Sequence, residues 1–130
     1  MIFAGRVPHS EVSAIYSAAD VLVYPRIDTL TTRLTTPLKP LEALAMGRAV
    51  VASDLPAMRE LISDGSTGLL FRAGDVTDLS RKILQLLSDS SLRALLGRNG
   101  RSFVVEQRQW KDSVKTYQRI YDEAIKAHKR

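Results

Sequence analysis

The sequence predicts an α/β fold with about four short, mainly parallel strands, flanking helices and a helical C-terminal region. Three observations carry this. Apolar runs of three to five residues recur at 2–4, 21–24, 49–52 and 68–71, three of them closed by Gly5, Pro25 and Ser53. Helical apolar periodicity fills most of the gaps between them. Beyond Phe71 the pattern is helical to the end. Strands alternating with helices imply parallel pairing through right-handed crossovers.

Each element follows from its residues. Residues 2–4 read as a brief strand ended by Gly5. Pro8 to Glu11 opens a helix, with Ser10 as its expected N-cap and Val12, Ile15, Tyr16 and Ala19 as its apolar stripe. Val21 to Tyr24 is the second strand. Residues 26–36 carry five threonines and no periodicity, and read as a mobile loop. Pro37 then sits in the first turn of a helix, where a missing N–H is tolerated. Leu41, Leu44 and Ala45 form its stripe and Gly47 its stop. Residues 49–52 are an apolar run of the kind a parallel sheet buries on both faces.

Residues 55–62 predict a short helix with Pro56 at its start, and residues 68–71 a fourth strand. Asp75 caps a helix with the stripe Leu79, Ile83, Leu86 and Leu87. Ser90 or Ser91 caps the next, which Gly97 or Gly100 is expected to end, with a further turn or two over 101–107. Residues 110–127 form a long amphipathic helix. Its Trp110, Tyr117 and Tyr121 are expected to pack in the core rather than to face a ligand. At 130 residues the chain reads as a single domain over 1–130, able to bury roughly two-thirds of its unfolded surface.

Composition narrows the chemistry. Apolar residues make 45% and charged residues 25%, ordinary values for a water-exposed globular domain. Cysteine is absent, which removes disulfides and thiolate metal sites and fits a cytoplasmic location. Two histidines, His9 and His128, lie near opposite ends, so no metal site is expected. No apolar run approaches the ~20 residues of a membrane span, and no signal peptide is read at the start. Residues 1–70 hold six Lys/Arg against seven Asp/Glu, and residues 71–130 hold thirteen against seven, so the net +5 resides in the second half. Such a half suits an anionic membrane surface or a phosphate-bearing ligand, or is a set of solvated helix faces. No aromatic-interleaved basic patch marks a nucleic-acid binder.

The residue that stands out is Glu42, a carboxylate near a helix N-terminus after the Thr-rich loop. It can accept two hydrogen bonds from a vicinal diol, as acidic residues do with nucleotide ribose. Its alternative is a solvated Glu favoured by the helix dipole. Ligands of parallel sheets bind beyond the carboxyl ends of the strands. That geometry aligns Arg6, Val7, the Thr loop and Glu42 along one rim.

The run from Pro37 to Ser53 resembles the donor-nucleotide motif of retaining glycosyltransferases of the family-4 type, which have two Rossmann-like domains in the GT-B fold. Gly5-Arg6-Val7-Pro8 with residues 15–25, and residues 59–71 with Gly74-Asp75, resemble the segments before and after that motif, in the family's order. Thr-Pro-Leu-Lys-Pro-Leu-Glu is similar to a bacterial subgroup tied to exopolysaccharide and exosortase loci, hence to polysaccharide biosynthesis. The resemblance identifies the chain as a truncated C-terminal, donor-binding half.

The resemblance implies these roles. Glu42 binds the ribose of a nucleotide sugar of UDP or GDP type. Arg6 and Val7 hold the base through backbone groups. Lys39, with the N–H groups at Leu38, faces the diphosphate, its alternative being a solvated loop lysine. No metal or other cofactor is implied. Leu34 stands where the motif has its first Glu, eight residues before Glu42, with Arg33 beside it as a partial substitute for the family's missing basic pair. No residue is assigned a catalytic role.

The expected function is therefore the nucleotide-sugar-binding part of a retaining glycosyltransferase, inactive alone because the acceptor domain is absent. The alternative is a non-catalytic nucleotide-sugar binding or assembly module. A third reading is a basic module on a membrane surface or nucleic acid. The family's central strands are lacking, which leaves residues 21–24 with a bare edge. The expected state is a homodimer through that edge or the last helix, in the cytoplasm or peripheral to the inner membrane face. Nucleic acid is not an expected partner.

Overall fold

The protein, seen in a computed structural model, is described over residues 5–128, apart from the side chains of Asp112 and Ser113. A 3-10 turn at His9–Glu11 leads into α1 (Val12–Ala18). There follow β1 (Val21–Tyr24), α2 (Leu30–Leu34), α3 (Leu38–Ala45), β2 (Ala49–Ser53), α4 (Pro56–Arg59) and β3 (Leu69–Phe71). The chain ends with α5 (Val76–Ser88), α6 (Ser90–Gln107) and α7 (Trp110–His128). The three strands form one parallel sheet in the order β1-β2-β3, with Val21 opposite Ala49 and Val51 opposite Leu69. Three of the four expected strands are thus present, and the strand expected over 2–4 lies outside the described residues.

All five residues of β2 are buried, as a strand covered on both faces requires. Period-two alternation divides the core. Val50 and Ala52 face Leu44, Leu55, Met58, Leu61 and Ile62, with Tyr16 and Tyr24 packed at the margin. Ala49 and Val51 face the opposite layer of Leu69, Phe71, Leu86 and Leu96.

Several local expectations are corrected. Ser10 lies within the 3-10 turn and does not cap α1, which starts from Glu11 without a side-chain cap. The Thr-rich segment is not a featureless loop. Thr29 and Thr32 form a reciprocal capping box that starts α2. Pro37 is the N-cap of α3 rather than a residue of its first turn. Asp75 caps α5 as expected, but Asp89, not a serine, caps α6 through the Leu92 N–H at 2.8 Å. The helix α6 then runs through Gly97 and Gly100 to Gln107. Close packing keeps those glycines helical where local propensity would end the helix.

The last correction concerns α7. Every described side chain of this helix is exposed, so Trp110, Tyr117 and Tyr121 do not join the core. The amphipathic stripe is there, but among the described residues no layer covers it.

Candidate functional site

The carboxyl ends of the strands are tied together by short polar bonds. Ser53 is fully buried at the end of β2. Its hydroxyl accepts from the Arg26 N–H at 2.7 Å and donates to the Arg26 carbonyl at 2.9 Å. The Asp54 N–H donates to the Phe71 carbonyl at 2.7 Å. The Arg26 guanidinium donates to the Thr35 carbonyl at 3.0 Å and so closes the loop that carries α2.

Beside β1 on this rim lies a cleft of about 440 Å3, lined by Arg6, Val7, His9, Val12, Ile15, Tyr16, Lys39 and Glu42. Four of the six site residues expected from the sequence are brought together here: Arg6, Val7, Lys39 and Glu42. Arg6 and Val7 arrive from the segment before α1. Lys39 and Glu42 share one side of α3 because they lie three residues apart.

The start of α3 is unusual in its donors. Pro37 makes no side-chain cap bond, and neither it nor Pro40 has an N–H. Of the first-turn donors only the Leu38 and Lys39 N–H groups remain. They point out of a helix terminus that carries partial positive charge. The arrangement therefore offers two backbone donors, an ammonium, a guanidinium, a carboxylate and an apolar wall of Val12, Ile15 and Tyr16. This set suits a ligand with a phosphate end, a hydroxylated middle and a flat apolar end.

The other two expected residues stand apart from the cleft lining. The Leu38 side chain is 66% exposed and contributes only its N–H. Arg33 binds Asp28 in bidentate fashion, at 2.5 and 2.7 Å. That bond holds the Asp28 carboxyl below its ordinary range and occupies the guanidinium.

Tyr24 escaped the sequence reading. Its hydroxyl donates to the Lys39 carbonyl at 3.2 Å. Burial, and then the hydroxyl of Tyr16 and the charge of Glu42, push its phenol well above the ordinary range. A Tyr closing an apolar strand gives no sign in sequence of reaching a helix 15 residues away.

A second cleft, of about 600 Å3, lies by β3 and is lined by ion pairs. Arg59 pairs with Asp54 at 2.6 Å, Arg81 with Asp78, and Lys82 with Asp64 at 3.7 Å. The fourth cation of the lining, Arg72, pairs with Asp75 at 3.5 Å. Among the described residues, no cluster of His, Asp and Glu is suited to a metal ion, and no helix is long and apolar enough to cross a membrane.

Residues 1–89 match the family model described as glycosyl transferases group 1. Over 125 residues the chain is 30% identical to an uncharacterized glycosyltransferase of Methanocaldococcus jannaschii, covering 95% of this chain and 30% of that relative. Over 113 residues it is 33% identical to a sulfoquinovosyl transferase of Arabidopsis thaliana, covering 85% of this chain and 21% of that relative. Sucrose-phosphate synthase from Thermosynechococcus elongatus superposes with a TM-score of 0.83 at 28% identity, over 97% of this chain and 30% of the other. The chain spans less than a third of the length of each of these proteins.

Proposed function

The chain belongs to the glycosyl transferases group 1 family, and we propose that its Arg6–Glu42 cleft binds the nucleotide of a nucleoside diphosphate sugar. The single observation that carries this is the convergence of Arg6, Val7, Lys39 and Glu42 on one cleft beside an uncapped helix start. Glu42 accepts from the ribose hydroxyls. The base lies against Val12, Ile15 and Tyr16, with Arg6 and Val7 at its edge. The diphosphate meets Lys39 and the two free N–H groups of α3. The nucleotide is of UDP or GDP type.

In the transfer this domain serves, the bond from the anomeric carbon to the diphosphate breaks. A bond to an acceptor oxygen forms with retained configuration, as in family-4-type enzymes, and the hydroxyl proton that this oxygen loses passes to the departing diphosphate. The Thr-Pro-Leu-Lys-Pro-Leu-Glu string supports a place in bacterial exopolysaccharide synthesis, on the cytoplasmic side. By itself the domain holds the donor without transferring its sugar. Among the described residues, only Arg6 and Lys39 bring permanent cationic charge to the cleft lining, and a departing diphosphate needs positioned charge in the transition state. The pairing of Arg33 with Asp28 favours the second reading, a nucleotide-sugar binding or assembly module without catalysis.

Calorimetric titration with UDP, GDP and ADP tests the site. One of them should bind with a Kd on the order of 0.1–10 mM, and Glu42→Ala should abolish that binding. Unchanged binding by Glu42→Ala removes the assignment. Reproducible sugar transfer by the pure chain removes the binding-only reading.

A further inference from the structure

Tyr24 is the last residue of β1, at the rim where the cleft opens. Its ring packs against the core, and its hydroxyl neighbours that of Tyr16. Its hydroxyl reaches the main-chain oxygen of Lys39, in the first turn of α3. A helix carbonyl has two lone pairs. In α3 the residue 43 N–H takes one of the Lys39 carbonyl's, and the phenol takes the other. The bonded carbonyl lies directly after the Leu38 and Lys39 N–H groups, the only donors that the two prolines leave there.

The neighbours keep this phenol in its donor form. Burial, the Tyr16 hydroxyl and the Glu42 charge all oppose its ionisation. Tyr16 itself lines the cleft, so ligand-facing residues adjoin Tyr24 through both the phenol pair and the α3 backbone. Core filling alone does not need the hydroxyl, since Phe would fill the same space.

We propose that Tyr24 is a positioning residue for diphosphate binding, holding the Leu38–Lys39 N–H pair and the Lys39 ammonium in place through the Lys39 carbonyl. The inference rests on the nucleotide reading of the cleft. Tyr24 does not touch the ligand; it fixes the donors that do, and fixing donors before a ligand arrives reduces the ordering that binding must pay for.

The experiment compares wild type, Tyr24→Phe and Glu42→Gln in the full chain. Each is titrated with UDP and with GDP, and binding is followed through backbone amide resonances. For the tighter nucleotide, Tyr24→Phe should weaken binding by about threefold to tenfold, the share of one hydrogen bond. At equal occupancy, the ligand-induced shifts of the Leu38 and Lys39 amides should shrink while that of Val7 persists. A merely structural role would reduce all three together, and that result, or unchanged affinity, overturns the assignment. Glu42→Gln separates the two levels. If it loses binding while Tyr24→Phe behaves as wild type, only the role of Tyr24 falls. If Glu42→Gln binds as wild type, or neither nucleotide binds, the nucleotide reading falls and the role of Tyr24 with it.

Discussion

A Cβ added to Gly97 would lie 2.2 Å from the carbonyl oxygen of Gly47. The two glycines thus bring the backbone of α6 against the end of α3. Gly47 has φ +67, the left-handed turn that stops α3 and aims its carbonyl at α6. The Arg101 guanidinium donates to the Ala45 carbonyl at the same junction. The helix that carries Lys39 and Glu42 is therefore braced from its far end.

Gly97→Ala is expected to destabilise the fold by about 1–3 kcal/mol or more, since a backbone carbonyl has little room to move. Gly100→Ala should do less harm. Its nearest obstacle, at 2.6 Å, is the Leu44 Cδ2 atom, the end of a flexible side chain. Urea unfolding of both variants checks the order. Equal midpoints would mean that the clash with the Gly47 backbone costs no more than the clash with the Leu44 side chain.

The Asp78 carboxylate links β3 to α5. It accepts the Arg72 N–H at 2.8 Å and pairs with Arg81. These contacts, the Arg72 N–H first, lower its pKa. A carboxyl lowered in the folded state stabilises the protein above its unfolded value, about 3.9. That stabilisation is lost as pH falls through the folded value. The melting temperature of wild type should exceed that of Asp78→Asn near neutral pH, and the gap should narrow below about pH 4. A gap independent of pH would show that ionisation of Asp78 does not matter.

The Thr29–Thr32 box predicts order in the segment before Pro37. The Thr29 N–H donates to the Thr32 hydroxyl at 2.9 Å, and the Thr32 N–H to the Thr29 hydroxyl at 3.2 Å. Thr29→Ala should cost α2 about 1 kcal/mol, a typical N-cap loss. Hydrogen exchange should then accelerate roughly fivefold at Arg33 and Thr35, whose amides bond to the Thr29 and Thr31 carbonyls. Unchanged exchange would mean that tertiary contacts, not the box, hold α2.

The sheet was legible in the sequence because buried parallel strands are written as apolar runs, and 21–24 and 49–52 appear as β1 and most of β2. The segments that line the cleft were also marked in the sequence, Arg6 and Val7 before α1 and Lys39 and Glu42 on the helix begun by Pro37. What escaped depends on contacts distant in sequence. Gly97 reads as a helix stop until its packing on Gly47 is seen. The threonines of 29 and 32 bond each other, a box that usually employs Glu or Gln at the second place. Arg33 looked free because Asp28 is five residues away, beyond helical neighbour spacing. Periodicity on α7 marked an apolar face but not what covers it.

That face motivates the last prediction. Trp110, Val114, Tyr117, Tyr121 and Ile125 recur at three- and four-residue spacing on α7, with Trp110 79% and Tyr121 64% exposed. A contiguous apolar stripe of this kind seeks a partner. Among the described residues, β1 is also hydrogen-bonded along one edge only, to β2. The protein is therefore expected to self-associate at micromolar concentration. A two-fold dimer is the simplest closed arrangement, because each copy then covers the same patch of the other. Light scattering should give twice the chain mass. A Val114→Lys/Tyr121→Lys variant, which places charge in the stripe without touching the core, should return a monomer if α7 is the interface. A variant that stays dimeric moves the interface to the β1 edge. A monomer mass for the wild type over the whole concentration range refutes self-association by either route.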